Sequence, residues 1–362
     1  MSKENMTLPR DIERVRELSL LFGPTGFEGG VADYIEDKIK NVCDSYLRDC
    51  MGNLLCLIKT GDRSAEGRQR IMLSAHMDEV GFMITEICDD GLLRFANLGG
   101  INVSVLEGRC AEVGDERGRV AGLVASKAVH HIERADRNKA NKIEKLYIDI
   151  GATDKEEAEK HVSVGSVGTF RSEFYLFGEN NEYMKGKALD DRMGCAALIE
   201  IMEKIYSDRP EGDLDLYFCF TVREEIGLSG AKVAAAKIKP DIAIVLESTA
   251  IADLPDTDPA RRVADVGKGG ALSIADRSTI YDKELLSFAL RIGEEKNIPV
   301  QVKRYVSGGN DAGSIHKTGE GVRPLALSVP TRYLHSPSCV ASVSDYRAVR
   351  DLVEAMVREL GK

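Results

Sequence analysis

No stretch of the 362-residue sequence is apolar for long enough to cross a bilayer, and the N-terminus, MSKENMTLPRDIERVREL, lacks the apolar core of a secretory signal. The expectation is a cytoplasmic protein that does not engage a membrane. No block of Lys or Arg stands out among 49 basic and 59 acidic residues, and a net charge of -10 argues against a nucleic-acid partner. The eight cysteines (43, 50, 56, 88, 110, 195, 219, 339) form no CxxC pair and several lie inside apolar runs. They read as reduced core residues, which excludes a disulfide framework and a thiolate metal site. Low-complexity tracts are missing too: 43% of residues are hydrophobic and 30% charged along the whole length, the mark of an ordinary globular chain. Histidine is scarce, with six in all, at 76, 130, 131, 161, 316 and 335.

A chain of this length exceeds the size at which one hydrophobic core stops growing, so two structural units are expected. Helices are predicted near 9–22 and 29–43, then strands near 53–59 and 70–75. From Gly81 to about Glu173 the texture changes. Short alternating runs such as FMITEI, LLRFANL, VSVLEGRCAEV and GRVAGLV are separated by Gly and Asp, the sign of an inserted β-rich unit. Within it HHIERADRNKANKIEK reads as a surface loop, and a Thr/Glu capping box at Thr153 opens a short helix. Beyond Asp190, the spacing of Leu198, Ile201, Met202 and Ile205 predicts an amphipathic helix. LDLYFCFTV (214–222) and DIAIVL (241–246) flank a helical stretch (229–237) and read as βαβ neighbours in a largely parallel sheet, with RPLALSV (323–329) a third strand. Helices over 282–296 and from Ser344 onward complete an α/β sandwich interrupted by an insert.

Acids and histidines in the core half fall where these strands end, the place at which open α/β sheets build their sites. In LSAHMDEVG, His76 and Asp78 stand two apart after a strand; alone, HxD reads as a surface turn. In KALDDRMGC, Asp190 and Asp191 precede a helix and could be a doubled N-cap, although adjacent carboxylates raise each other's proton affinity unless a cation compensates. Glu224 and Glu225 in TVREEIGLSGA end a buried strand and would face opposite sides of it, or merely mark a solvated exit. Glu247 in IVLEST ends the neighbouring strand, and His335 in PTRYLHSP follows a third. The remaining histidines (130, 131, 161, 316) read as structural or loop residues. Two imidazoles with several carboxylates and no thiolate form a donor set suited to Zn²⁺, Co²⁺ or Mn²⁺. A shared carboxylate implies two ions, which would polarise a carbonyl and activate a bridging water.

The ordered motifs AHMDEVGFM, GKALDDRMGC, REEIGLSGA, SGGNDAGSI and PTRYLHSP resemble the co-catalytic metallo-aminopeptidases of the glutamyl aminopeptidase, deblocking aminopeptidase and TET group, over nearly the whole chain. Some members of that group carry the name endoglucanase. The resemblance implies a three-layer zinc-peptidase-like α/β sandwich with a mostly parallel central sheet and an inserted small β-barrel-like domain. The catalytic domain would be 1–80 with 174–362, and 81–173 the dimerisation and substrate-access domain. It also implies two divalent ions, one served by His76, Asp190 and Glu247, the other by His335, Asp190 and Glu225. Glu224 would be the general base, and Asp78 would hold the far nitrogen of His76. A cis Asp190–Asp191 peptide, short peptide substrates, and assembly into dimers and a hollow dodecamer follow by the same resemblance. Two departures stand out: Glu247 where relatives often have Asp, and Asn310 where they often have Thr. A metal-free glycoside hydrolase using paired carboxylates, or a scaffold without activity, are the alternatives.

Overall fold

The computed structural model describes residues 8–62, 67–115, 117–134, 139 and 141–362. The chain opens with α1 (Arg10–Leu20) and α2 (Gly29–Ile39), each presenting one apolar stripe: Ile12, Val15 and Leu18 on the first, Val31, Ile35 and Ile39 on the second. Strands β1 (Ser45–Arg48), β2 (Leu54–Lys59) and β3 (Gln69–His76) follow. The insert comprises β4 (Gly81–Ile87), β5 (Leu93–Leu98), β6 (Cys110–Asp115), β7 (Gly118–Ala125), β8 (Tyr147–Asp149), α3 (Lys155–Glu159) and β9 (Val167–Phe170). After it come β10 (Tyr175–Phe177), β11 (Tyr183–Gly186), α4 (Leu189–Ser207), β12 (Leu214–Thr221), α5 (Ser229–Ile238) and β13 (Ile242–Ala250). The chain ends with β14 (Gly270–Leu272), α6 (Lys283–Lys296), β15 (Val300–Val302), α7 (Ala312–Ile315), β16 (Arg323–Arg332), β17 (Cys339–Ser342) and α8 (Val343–Leu360).

The main sheet runs β1-β2-β12-β3-β13-β16-β17-β11-β10, with β14 on β16 and β15 on β14. Its centre, β12-β3-β13-β16, is parallel. Strands buried on both faces need no alternation, which is why they read as continuous apolar runs. Helices α1, α2, α4, α6 and α8 pack one face and α5 with α7 the other, giving three layers. Two neighbour relations differ from the expectation. Strand β3 lies between β12 and β13, and β12 lies between β2 and β3. An apolar run fixes that a strand is central, but not which strand beside it arrives from elsewhere in the chain.

The strands from Gly81 to Phe170 close into a six-stranded barrel, β4-β5-β8-β7-β6-β9. Phe82 sits at its centre, edge-on to Phe95 and Phe170 with ring centroids 5.4 and 5.3 Å away. Residues Val103–Val105 form a 3₁₀ turn in place of the strand expected there. The polar stretch expected to be a loop lies partly outside the described residues; 3₁₀ turns at Val129–His131 and Ile143–Lys145 bracket it. The capping box is shifted by one residue. Asp154 accepts from Glu157 N, and the Glu157 carboxylate accepts from Thr153 N.

The barrel is tied to the sheet by a buried ion pair. Lys187 Nζ lies 2.6 and 2.8 Å from the two oxygens of Glu79, which also accept from Gly23 N and, on β9, from Thr169 Oγ1. Both side chains are almost fully buried.

Candidate metal centre

His76 is the last residue of β3, in register with Thr221, the last residue of β12. The parallel pairing therefore delivers the HxD segment and the Glu224–Glu225 segment to the same edge of the sheet. Those two glutamates do not stand on the strand. They lie in the turn after it, so strand alternation does not separate them; Asp78 holds the turn instead. Its Oδ1 accepts from Glu224 N at 3.0 Å and its Oδ2 from Glu225 N at 3.1 Å. Glu247 is the sixth of nine residues in β13, because the ladder with β16 continues to Ala250. His335 follows β16.

The aspartate doublet divides two tasks. Residue Ala188 is left-handed at the helix start, the Asp190–Asp191 peptide is cis, and both aspartates have non-helical torsions. Asp191 Oδ1 then accepts from Gly194 N at 3.1 Å, the cap expected of it, while Asp190 turns toward the histidines. Left-handed torsions at Ala188, Arg223 and His335 (φ 49, 57 and 57) flank these segments. Each costs roughly 1–2 kcal/mol for a side chain bearing Cβ. Such conformations gather at functional sites.

Asp190 joins the two imidazoles. Its Oδ1 is 3.3 Å from His76 Nε2 and its Oδ2 is 3.4 Å from His335 Nε2. On the first side Glu247 Oε2 is 3.8 Å from His76 Nε2; on the second Glu225 Oε1 is 3.3 Å from His335 Nε2. Two sets of donor atoms, His76–Asp190–Glu247 and His335–Asp190–Glu225, thus each lie within 4.8 Å of one another and share Asp190. Glu224 groups with His76 and Glu225 in a third such set. The ring nitrogens away from the cluster are occupied: His76 Nδ1 is 3.1 Å from Asp78 O and 3.4 Å from Asp78 Oδ1, and His335 Nδ1 is 2.8 Å from Gly100 O. Tautomers are thereby fixed with Nε2 facing inward.

The barrel completes this wall. At Gly99, φ is +85° and an added Cβ would stand 2.8 Å from Val80 and 3.3 Å from Glu225, so the loop after β5 reaches the site only as glycine.

Among the described residues no Lys or Arg pairs with Asp190, Glu224, Glu225 or Glu247. Burial raises the Glu224 carboxyl well above its ordinary range and does the same to Glu247 and Asp191, with neighbouring carboxylates adding to the rise. His335 is pushed up to about 12: burial opposes the shift, but contacts with Asp190 and Glu225 outweigh it. Glu247 Oε1 is buried without a hydrogen-bond partner. Uncompensated carboxylates facing two inward imidazole nitrogens suit divalent cations, which would supply the missing positive charge.

Of the other histidines, His316 Nδ1 is 2.7 Å from Ala312 O inside α7, and His130, His131 and His161 lie in the barrel insert. Three neighbours of the cluster, Asp311, Glu79 and Lys187, lie inside the motifs that carry the resemblance, but nothing local in the sequence assigns them a part. Asp311, buried and raised to about 6 chiefly by that burial, accepts from Thr221 Oγ1 at 2.6 Å behind the cluster. Glu79 and Lys187 stand beside predicted ligands, yet only their long-range pairing reveals their part.

The M42 glutamyl aminopeptidase family profile matches residues 52–352. A lysyl aminopeptidase of Pyrococcus furiosus is 30% identical over 97% of this chain and 97% of its own. Among solved structures, a TET aminopeptidase from the marine sediment archaeon Thaumarchaeota archaeon SCGC AB-539-E09 superposes with a TM-score of 0.91 at 33% identity, over 97% of this chain and 96% of that one. The PhTET1-12s structure, a dodecamer, gives 0.85 at 33% identity over 97% and 100%.

Proposed function

The chain belongs to the M42 glutamyl aminopeptidase family and is an aminopeptidase, and on that premise we propose that it releases N-terminal residues from short peptides using two divalent ions held by His76, Asp190, Glu225, Glu247 and His335. The observation that carries this reading is the pair of donor sets sharing Asp190. Oxygen and imidazole donors without thiolate favour Zn²⁺ first, with Co²⁺ or Mn²⁺ also accommodated. When bound, such a pair supplies Lewis acidity to a scissile carbonyl and lowers the pKa of a shared water toward ~7.

The protein groups do the rest. Glu224 takes the proton of the attacking water and returns one to the departing amine, a task suited to a carboxyl whose proton affinity burial has raised. Asp78 acts at one remove: it orients His76 through Nδ1 and fixes both Glu224 and Glu225 through their amides. A glycosidase acting through paired carboxylates would leave two inward imidazoles idle, and an inactive scaffold would have no use for uncompensated buried acids. In the fuller reading, residues 1–80 with 174–362 form the catalytic domain and 81–173 the dimerisation and substrate-access domain. The protein would act in the cytoplasm as a homo-oligomer, built from dimers and extending to a dodecamer like PhTET1-12s. No helix among the described residues is long and apolar enough to cross a membrane.

Protein stripped by chelator and restored with Zn²⁺ or Co²⁺ is expected to cleave aminoacyl-anilides. Chelator-resistant release of reducing sugar from β-glucan, with no anilide cleaved, would overturn the proposal.

A further inference from the structure

Three cations without an acidic partner converge where the barrel meets the sandwich. From the barrel come Arg109 and Arg171: Arg171 N donates to Cys110 O at 2.9 Å, carrying the β6–β9 ladder one step past Phe170, so the two arginines leave neighbouring strand ends. From the sandwich comes Lys185 on β11, paired directly with Tyr175 on the edge strand β10, its Nζ 5.4 Å from the centre of the Tyr175 ring. All three side chains line one open groove of about 750 Å³, which none of the five donor residues of the candidate metal centre enters.

The chain as a whole carries a net charge of -10, yet among the described residues none of these three cations forms an ion pair. Arg171 donates no side-chain hydrogen bond there, and Arg109 uses only Nε, on Val105 O at 3.2 Å. Half-buried Lys185 donates to two neutral acceptors, Ser172 Oγ at 2.7 Å and Glu173 O at 2.8 Å, which leaves one of its three N–H groups over. Burial pulls its proton affinity below the ordinary lysine range, with Arg109 adding to the fall and Glu173 opposing it. Like charges gathered in a cleft raise the local potential and favour an anion among them. The groove also shares a wall with the candidate metal centre. Ser172 Oγ donates to Pro337 O at 2.6 Å, and Ser336 Oγ accepts from Ser338 N and donates to Tyr333 O, so the turn carrying His335 is braced from the groove side.

We propose that this groove is a binding site for a small oxyanion, a carboxylate or a phosphate, held by Arg109 and Arg171 with Lys185 as the third donor. Guanidinium forks match the paired oxygens of either anion, and the volume is that of a small-molecule pocket. Two sources share this chemistry. One is a free anion; the other is the C-terminal carboxylate of a short peptide whose N-terminus lies at the neighbouring centre.

The test is calorimetry at fixed ionic strength on the Zn²⁺-loaded full-length protein, with inorganic phosphate and, separately, with N-acetyl-alanyl-alanine and its C-terminal amide. Wild type is compared with Arg171→Glu and Lys185→Met. Phosphate, the free-carboxylate peptide or both should bind the wild type, and should bind Arg171→Glu about 10- to 100-fold more weakly, the range of a charge-assisted contact. Binding of phosphate alone identifies a free anion and binding of the peptide acid alone identifies substrate; either supports the site. Arg171→Glu removes no side-chain hydrogen bond among the described residues, so its fold should be intact, and Lys185→Met, which also loses the Ser172 contact, should weaken the same ligand. Anions could instead meet the metal ions, and equal affinity in wild type and Arg171→Glu would place them there and overturn the proposal. Absence of binding by either anion, or equal binding of the peptide acid and its amide, would overturn it too. A fall in assembled mass in Arg171→Glu with anion affinity unchanged would make the groove a contact between copies of the chain, against the proposal. The aminopeptidase reading stands apart from these outcomes, since anilide cleavage tests it.

Discussion

Glu224 and Glu225 sit side by side in one turn, with both amides on Asp78, yet only Glu225 lies against His335. That difference predicts their separate effects. Glu224→Gln should keep both ions and the fold while kcat falls ~10² to 10⁴, because proton transfer alone is removed; metal analysis beside a rate assay checks it, and retained activity would displace Glu224 as base. Asp78→Ala should act on both segments at once, weakening metal affinity ~10- to 100-fold through His76 and loosening the Glu224–Glu225 turn; metal titration of the variant reads this. The strand-end acids and the two histidines were visible in the sequence because their types and positions after apolar runs are local properties. The amide-capping role of Asp78 was not. It depends on the parallel register that sets His76 against Thr221, which no local pattern encodes.

Elements were legible in proportion to their periodicity. Helix α8 and strands β12, β13 and β16 carry long unambiguous patterns, whereas the three-residue strands β14 and β15 hold too few residues to show a period. Sheet order escaped too, since β3 and β12 are interchangeable as apolar runs. Contacts between distant elements decide how these pieces lock together. Lys187→Met would leave Glu79 buried with its hydrogen bonds from Gly23 N and Thr169 Oγ1 but, among the described residues, with no cation closer than Arg192 at 3.5 Å, and should cost about 3–5 kcal/mol in urea unfolding. A loss within ±0.5 kcal/mol would refute the junction as drawn. At the start of α1, Asp11 accepts from Arg347 Nε on α8 at 2.6 Å, with Arg350 3.4 Å away. Burial works to raise the Asp11 carboxyl, but the two guanidiniums prevail and hold it below its ordinary value. Its folded pKa is thus depressed, so the stability it contributes is present above about pH 4 and lost as pH falls through the folded value. Asp11→Asn should cost ~1.5–3 kcal/mol at pH 6, with the gap to wild type narrowing toward pH 3. A gap that widened on acidification would reverse the sign.

The whole molecule divides into a three-layer sandwich and a closed barrel whose β5 loop lies against the candidate metal centre. The barrel strands begin at Gly81, and closure of the barrel requires β8 and β9, strands of three and four residues, too short to show a period in the sequence. Cations binding the folded chain should stabilise it by mass action, so chelation should lower the melting temperature together with activity. Metal stoichiometry bears most directly on the central claim. Chelator-stripped protein titrated calorimetrically with Zn²⁺ should bind two ions per chain, and His335→Ala should retain one. A wild-type stoichiometry of one or none, or a His335→Ala variant that still binds two, would contradict the arrangement of five residues around a shared Asp190.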